Sequence, residues 1–148
     1  MLKIYLDNCC YNRPFDDFTI RKNGLEANAK LFIQSLVKFK SVALYYSFMS
    51  LLENDDNPFE ESKEYILDFI EANATGFIGT KRFNDIETIT DEIMKTGIKK
   101  KDATHLACSM IAECDYFITT DKRVLKFVTD KIKIINPIGF VEMWGDTE

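Results

Sequence analysis

The sequence predicts an α/β fold, in which a mostly parallel sheet of about five strands carries helices on both faces. Short apolar runs rich in β-forming residues alternate along the chain with longer segments whose apolar residues recur every three or four positions. Strands that alternate with helices are typical of parallel sheets, because parallel neighbours need a crossover connection. The 148 residues, 46% of them apolar, suffice for one domain. We expect this domain to span 1–148.

Each element has its own signal in the sequence. The apolar runs predicted as buried strands are 2–6, 42–46, 76–80, 116–120 and 131–135. Between them, Ser47, Pro58 and Gly97 supply an N-cap, a first-turn proline and a helix end. The predicted helices begin near 25, run over 48–53, 58–72, 86–96, 103–111 and 122–128, and include 140–144. The polar residues 12–24 are predicted to form a loop, which is either a plain connector or a flap that faces a substrate.

Composition excludes several classes of protein. No apolar run reaches the roughly 18 residues that a membrane-spanning helix needs, and the first residues lack the layout of a signal peptide. We therefore expect a cytoplasmic protein without a membrane partner. The four cysteines form no C-x-x-C pair, so they are expected to be reduced, partly buried thiols rather than zinc ligands.

Charge is distributed unevenly along the chain. The formal net charge of −5 argues weakly against a nucleic-acid partner. However, acidic residues predominate in 54–73 and basic residues in 95–133. A protein that is acidic overall can still present a basic rim to RNA.

Four carboxylates stand where a parallel sheet places functional residues. In such folds ligands bind beyond the carboxyl ends of the strands. Asp7 ends the first strand, Asp121 ends the fourth, Glu53 lies in the helix after the second, and Asp102 begins the helix that leads into the fourth. Each also has a structural interpretation: Asp102 and Asp121 suit helix N-caps, Asp7 suits a turn, and Glu53 suits an exposed surface.

A cluster of these carboxylates would favour a metal. Like charges repel, and removal from water raises carboxyl pKa values, so folding is easier when a cation offsets them. Mg²⁺ and Mn²⁺ prefer oxygen ligands, and such an ion can polarise a phosphate and activate water. Phosphodiester hydrolysis is therefore the chemistry that suits the pattern best. The chain has one histidine, His105, which is either an ordinary helix residue or a group that supports the carboxylates. G-x-S-x-G, Walker and G-x-G-x-x-G motifs are absent.

Four blocks of the sequence contain these carboxylates: IYLDNC at 4–9, SFMSLLE at 47–53, KKKDATHLACSM at 99–110 and CDYFITTDKRVLK at 114–126. With these blocks, the sequence resembles the PIN domain family, especially the VapC-like toxins of toxin–antitoxin pairs. The last two blocks, in this order, are the specific signal. In many relatives the first aspartate is followed by Thr or Ser and then Asn, whereas this chain has Asn8, Cys9 and Cys10.

The resemblance implies a three-layer α/β/α sandwich and an endoribonuclease that depends on Mg²⁺ or Mn²⁺. It assigns Asp7, Glu53, Asp102 and Asp121 as the catalytic and metal-binding quartet, which would hold one or two ions that orient a water for attack on RNA. Asn8 and Thr119 would orient these carboxylates or the water. It also implies a homodimer and a cognate antitoxin that blocks the acidic groove.

Basic residues near the quartet are candidates for phosphate binding. Lysines flank Asp102, and the predicted substrate-binding residues are Arg13, Lys101, Lys122 and Arg123. Solvated surface side chains are the alternative interpretation of each. Two other functions stay open on the sequence alone: a PIN-like interaction module without catalysis, and a PIN nuclease that acts on DNA or in RNA maturation.

Overall fold

The computed structural model of the protein describes residues 1–11 and 21–147. The predicted loop lies largely outside these ranges. Five strands form one sheet in the order β3-β2-β1-β4-β5, and every pairing is parallel. The strands are β1 Lys3–Leu6, β2 Ala43–Ser47, β3 Gly76–Ile78, β4 Tyr116–Ile118 and β5 Lys133–Ile135. All five lie where the apolar runs predicted them.

Seven helices connect or follow these strands in the described ranges. They are α1 Arg21–Lys38, α2 Phe48–Asp55, α3 Glu60–Asn73, α4 Phe83–Met94, α5 Lys100–Ile111, α6 Lys122–Leu125 and α7 Pro137–Thr147. A short 3₁₀ turn, Asn8–Cys10, follows β1. Several boundaries differ from the prediction. α1 begins at Arg21, so residues 21–24 are helical and not part of the predicted loop, and α6 ends at Leu125 rather than at 128. α4 begins at Phe83, three residues before the predicted start. Pro58 precedes α3 because Phe59 is its N-cap, and α5 begins two residues before Asp102 because Lys99 adopts the extended N-cap conformation.

The sheet is covered on both faces, which gives the three layers. Along β1, Ile4 and Leu6 join a buried cluster with residues of α1, α3 and α7. Tyr5, which points to the opposite face, joins a second cluster with residues of α4 and α5. Phe117 of β4 lies in this second cluster too. Both faces of the central strands are apolar because helices cover both of them.

The central strand places the candidate site. β1 pairs with β2 on one side and with β4 on the other, so the chain leaves β1 toward one side of the sheet and later returns to the other. In open parallel sheets, the crevice at such a reversal is the usual ligand site. Asp7 lies one residue beyond β1, and its main-chain N–H donates to the Ile118 carbonyl at 2.9 Å. The carboxyl ends of β1 and β4 are therefore fixed side by side.

The four cysteines are free thiols, as expected, and three of them are buried. None of the helices in 1–11 and 21–147 is long and apolar enough to cross a bilayer.

Candidate functional site

Asp7 is a buried carboxylate that accepts two hydrogen bonds. Its Oδ1 accepts the Asn8 main-chain N–H at 2.8 Å, and its Oδ2 accepts the Thr119 hydroxyl at 2.7 Å. Only 6% of the residue is exposed. Burial raises the pKa of Asp7 and the nearby Glu53 raises it further, whereas His105 and the two hydrogen bonds oppose this. The fold thus fixes this carboxylate where its ionised form is destabilised.

Glu53 approaches Asp7 from α2. The Ser47 side chain caps this helix by accepting the Met49 N–H at 3.2 Å, so α2 starts at the end of β2. Glu53 Oε1 lies 2.8 Å from Nε2 of His105, which is fully buried in α5. Ligand atoms of Asp7, Glu53 and His105 all lie within 4.8 Å of one another. Residues from β1, α2 and α5 therefore meet at one point.

Asp102 and Asp121 bring two more carboxylates close to Asp7 and Glu53. Asp102 is the third residue of α5 and is partly exposed. Burial raises its pKa, and so do the carboxylates of Asp7, Asp121 and Glu53. Asp121 caps α6: its Oδ1 accepts the main-chain N–H groups of Arg123 at 2.8 Å and Val124 at 3.4 Å. The cap that the sequence allowed for Asp121 is present, and Asp121 still contributes charge to the site.

A pocket of about 420 Å³ opens above these carboxylates. Its wall combines acidic and basic side chains with one apolar residue: Glu53, Ile98, Lys99, Lys101, Asp102, Asp121 and Arg123. Three of the four predicted carboxylates line this pocket, and the fourth, Asp7, joins them through its approach to Glu53. The carboxylates offer oxygen ligands to a metal ion, and the surrounding lysine and arginine side chains can donate hydrogen bonds to phosphate oxygens.

The supporting residues divide into two groups. Thr119 contacts Asp7 directly and also accepts the Asp121 N–H at 3.0 Å, so one hydroxyl ties two carboxylate positions together. Asn8 supports Asp7 through its main chain, while its side-chain amide donates to the Ser50 carbonyl at 2.9 Å. The Asn8 side chain therefore joins the end of β1 to α2.

The predicted phosphate-binding residues are placed unequally. Lys101 and Arg123 line the pocket, as does Lys99. Lys122 is exposed at the start of α6 and is not part of the pocket wall. Arg13 lies outside the described residues.

The donor set fits a hard divalent cation. Asp7 and Glu53 provide oxygen atoms close enough to share an ion, and Asp102 and Asp121 add negative charge at the same pocket. Mg²⁺ and Mn²⁺ prefer such oxygen ligands. A bound cation would also offset the repulsion that raises the pKa values of Asp7 and Asp102.

Sequence reasoning left His105 open between an ordinary helix residue and a group that supports the carboxylates, and it did not include Tyr5 in the site. His105 follows Asp102 by three positions, so the two share one face of α5. That spacing was the available signal for His105. Tyr5 gave no signal of its own, because an aromatic residue in an apolar strand is usually a core residue.

Solved structures with the same fold include VapBC2 from Rickettsia felis, determined with a DNA fragment from its promoter, at a TM-score of 0.60 and 12% identity over 91% of this chain and 98% of that one. FitAcB from Neisseria gonorrhoeae matches with a TM-score of 0.57 and 16% identity, over 90% and 97% of the two chains. FitAB bound to an IR36 DNA fragment matches with a TM-score of 0.60 and 16% identity, over 91% and 95%. No protein-family model and no curated protein sequence matches the chain.

The structural similarity extends over most of both chains in each comparison, at identities that establish the fold and leave function to be argued from the site. It confirms the α/β/α architecture that the PIN resemblance implied. This chain therefore has the PIN-like fold of the VapBC2 and FitAB structures.

Proposed function

We propose that this protein is a metal-dependent endoribonuclease of the PIN type, and that it is the toxin of a toxin–antitoxin pair acting in the cytoplasm. The observation that carries the proposal is the convergence of Asp7, Glu53, Asp102 and Asp121 on one pocket at the carboxyl end of the sheet. Clustered carboxylates cost stability without a cation, so their convergence is better explained by metal binding than by packing.

Each group has a role in this proposal. Asp7 and Glu53 hold Mg²⁺ or Mn²⁺, and Asp102 and Asp121 complete the acidic wall. A bound ion of this kind supplies a polarised phosphate and a water of lowered pKa. Thr119 keeps Asp7 oriented through the 2.7 Å hydrogen bond to its Oδ2. Lys99, Lys101 and Arg123 surround the carboxylates and bind the RNA backbone.

The partners are proposed from the fold. VapBC2 and FitAB are two-component assemblies, and their similarity to this chain supports a cognate antitoxin that covers the acidic pocket. We also propose a homodimer, as the PIN resemblance implies. Proteins of this kind would be held inactive until the antitoxin is lost.

A cleavage assay tests the activity. Single-stranded and structured RNA are incubated with the protein in Mg²⁺ or Mn²⁺, then with EDTA, beside matched DNA. We expect RNA cleavage that needs the ion and that falls at least 100-fold in Asp7→Asn and Glu53→Gln, because each variant removes one ligand charge. Cleavage that resists EDTA, or full activity in Asp7→Asn, contradicts the proposal. Preferential cleavage of DNA would instead assign a different substrate to the same site.

Metal binding separates the nuclease from a non-catalytic module of the same fold. The nuclease must bind Mn²⁺ in the millimolar range or tighter, and Asp7→Asn must weaken that binding. A wild-type protein with no measurable affinity for divalent ions would be an interaction module.

A further inference from the structure

A buried chain of polar groups runs from the start of α2 to Glu53. The Tyr5 hydroxyl lies 2.6 Å from Ser47 Oγ, 3.2 Å from Ser50 Oγ and 2.6 Å from His105 Nδ1. On the other side of the imidazole, His105 Nε2 lies 2.8 Å from Glu53 Oε1. Tyr5 and His105 are both fully buried. Burying polar groups costs free energy unless each has a hydrogen-bond partner, so the arrangement of donors and acceptors in this chain must be consistent.

With an ionised Glu53 and a neutral imidazole, the direction of each hydrogen bond in this chain follows from the chemistry of its groups. A carboxylate only accepts, so Nε2 carries the proton that faces Glu53. In a neutral imidazole Nδ1 is then an acceptor, and the Tyr5 hydroxyl donates to it.

The two serines complete the chain without conflict. Ser47 Oγ accepts the Met49 N–H at 3.2 Å, and Ser50 Oγ accepts the Ser47 N–H at 3.1 Å. Each hydroxyl proton is then available to Tyr5, whose oxygen accepts while its proton goes to His105. The reciprocal cap of α2 is thereby connected through Tyr5 to the imidazole that contacts Glu53.

We propose that His105 is a positioning residue for Glu53: its Nε2–H fixes one carboxylate oxygen, and Tyr5 with the two capping serines fixes the tautomer that this requires. The inference rests on the proposed function, because its consequence is a Glu53 oriented toward Asp7 for metal binding. The Glu53 side chain is 26% exposed and would otherwise sample several rotamers. Outer hydrogen bonds of this kind typically contribute 10–100-fold to metal affinity.

His105 acts through Glu53 and not as a metal ligand. Both ring nitrogens are already within hydrogen-bond distance of a partner, and the ring is fully buried. Direct ligation would break the contact with either Glu53 or Tyr5. The packing also restrains the ring, since Tyr5 contacts it edge-on with ring centroids 5.6 Å apart.

Three substitutions at one position test the geometry. The side-chain amide of His105→Gln reaches the position of Nε2 and can still donate to Glu53. The shorter amide of His105→Asn reaches only the position of Nδ1, beside Tyr5. His105→Leu forms neither hydrogen bond. We expect Mn²⁺ affinity, followed by the loss of the free-ion electron paramagnetic resonance signal, to stay within about threefold in the Gln variant. It should fall about 10–100-fold in the Asn and Leu variants. Urea unfolding in EDTA checks that all three fold.

Spectroscopy on the wild-type protein gives a second readout. Because the chain has a single histidine, its imidazole nitrogens give one unambiguous set of long-range ¹H–¹⁵N signals. We expect the Nε2–H tautomer, and a mixture of tautomers in Tyr5→Phe, which keeps the ring stacked on Phe117 but removes the donor to Nδ1. Electron spin echo measurements on the Mn²⁺-loaded protein should show no directly coordinated nitrogen.

The outcomes are distinct. Wild-type affinity in both the Asn and Leu variants, an Nδ1–H tautomer, or a coordinated nitrogen each overturns the positioning role while the nuclease proposal stands. A wild-type protein that binds no Mn²⁺ overturns the proposed function and the positioning role together. The positioning role is supported if the Gln variant keeps its Mn²⁺ affinity while the Asn variant loses it, and both are equally stable.

Discussion

At the scale of single residues, Asp7 shows how the site costs stability. Its folded-state pKa lies above the ordinary value, chiefly because the carboxylate is buried. A raised pKa means that the folded protein binds the proton more tightly than the unfolded chain does. The associated stability is full below the unfolded pKa of about 3.9 and is lost as the pH rises through the folded value. At neutral pH, ionised Asp7 therefore destabilises the metal-free fold.

Asp7→Asn should consequently be more stable than the wild type at pH 7.5 in EDTA, although we expect it to be inactive. The gain should shrink as the pH is lowered toward the ordinary carboxyl range, where the wild-type group is protonated as well. Urea midpoints measured from pH 4 to 8 check the sign. Mn²⁺ should raise the wild-type midpoint and leave that of Asp7→Asn nearly unchanged. A variant that is less stable than the wild type at every pH would contradict this account.

Thr119 supports two carboxylate positions through one buried hydroxyl, which donates to Asp7 and accepts the Asp121 N–H. Thr119→Val keeps the shape and removes both hydrogen bonds, so we expect a loss of about 1–3 kcal/mol in the free energy of unfolding. Thr119→Ser keeps the hydroxyl and removes one methyl group, and is the matched control. Urea unfolding compares them. Equal losses in the two variants would show that packing, and not the hydroxyl, is what matters.

At the scale of elements, α6 separates the two roles of Asp121. This side chain caps the helix and also lines the pocket. Asparagine caps as well as aspartate does, so Asp121→Asn should keep the stability of the wild type while it lowers RNA cleavage at least tenfold. Asp121→Ala loses the cap too and should cost a further 0.5–2 kcal/mol or so in unfolding free energy. Cleavage rates and urea midpoints of both variants are the measurements. Equal stability of Asn and Ala would contradict the capping role.

The same elements show what the sequence can predict. The five strands were recognisable because buried parallel strands are continuous apolar runs, and Ser47 and Asp121 were recognisable as caps because their side chains suit that position. The start of α5 was not, since Lys99 has no capping side chain and the helix begins there without one. The sequence therefore indicates the start of a helix where a side chain caps it, and gives no such signal where the cap is made by the main chain alone.

The network around His105 lay beyond sequence reasoning for another reason. Its partners Glu53 and Tyr5 are 52 and 100 positions away along the chain. A histidine in a helix has the same local pattern whether it is exposed or enclosed by such partners. The proximity of the four carboxylates was predictable because the topology of a parallel sheet brings strand ends together, whereas the partner of an individual side chain depends on packing that no spacing encodes.

At the scale of the whole molecule, a chain of net charge −5 must attract a polyanion locally. Lys99, Lys101 and Arg123 lie around the pocket, at the carboxyl end of the sheet. Lys131 precedes β5 and therefore lies at the opposite end. If the protein binds RNA as proposed, RNA should be drawn to this end of the protein. Its affinity and the salt dependence of that affinity should then depend on the basic residues of the pocket.

Salt dependence of RNA binding tests this expectation. In the Asp7→Asn background, in which we expect bound RNA to stay uncut, the affinity for a short single strand is measured across a series of salt concentrations. Each phosphate contact contributes about 0.7 to the slope of log affinity against log salt for single strands. Lys101→Ala and Arg123→Ala should each reduce that slope by about this amount and weaken binding to every sequence alike. Lys131→Ala removes the same charge at the far end of the sheet and should leave the slope unchanged. If all three variants reduce it equally, RNA responds only to net charge and the pocket does not guide it.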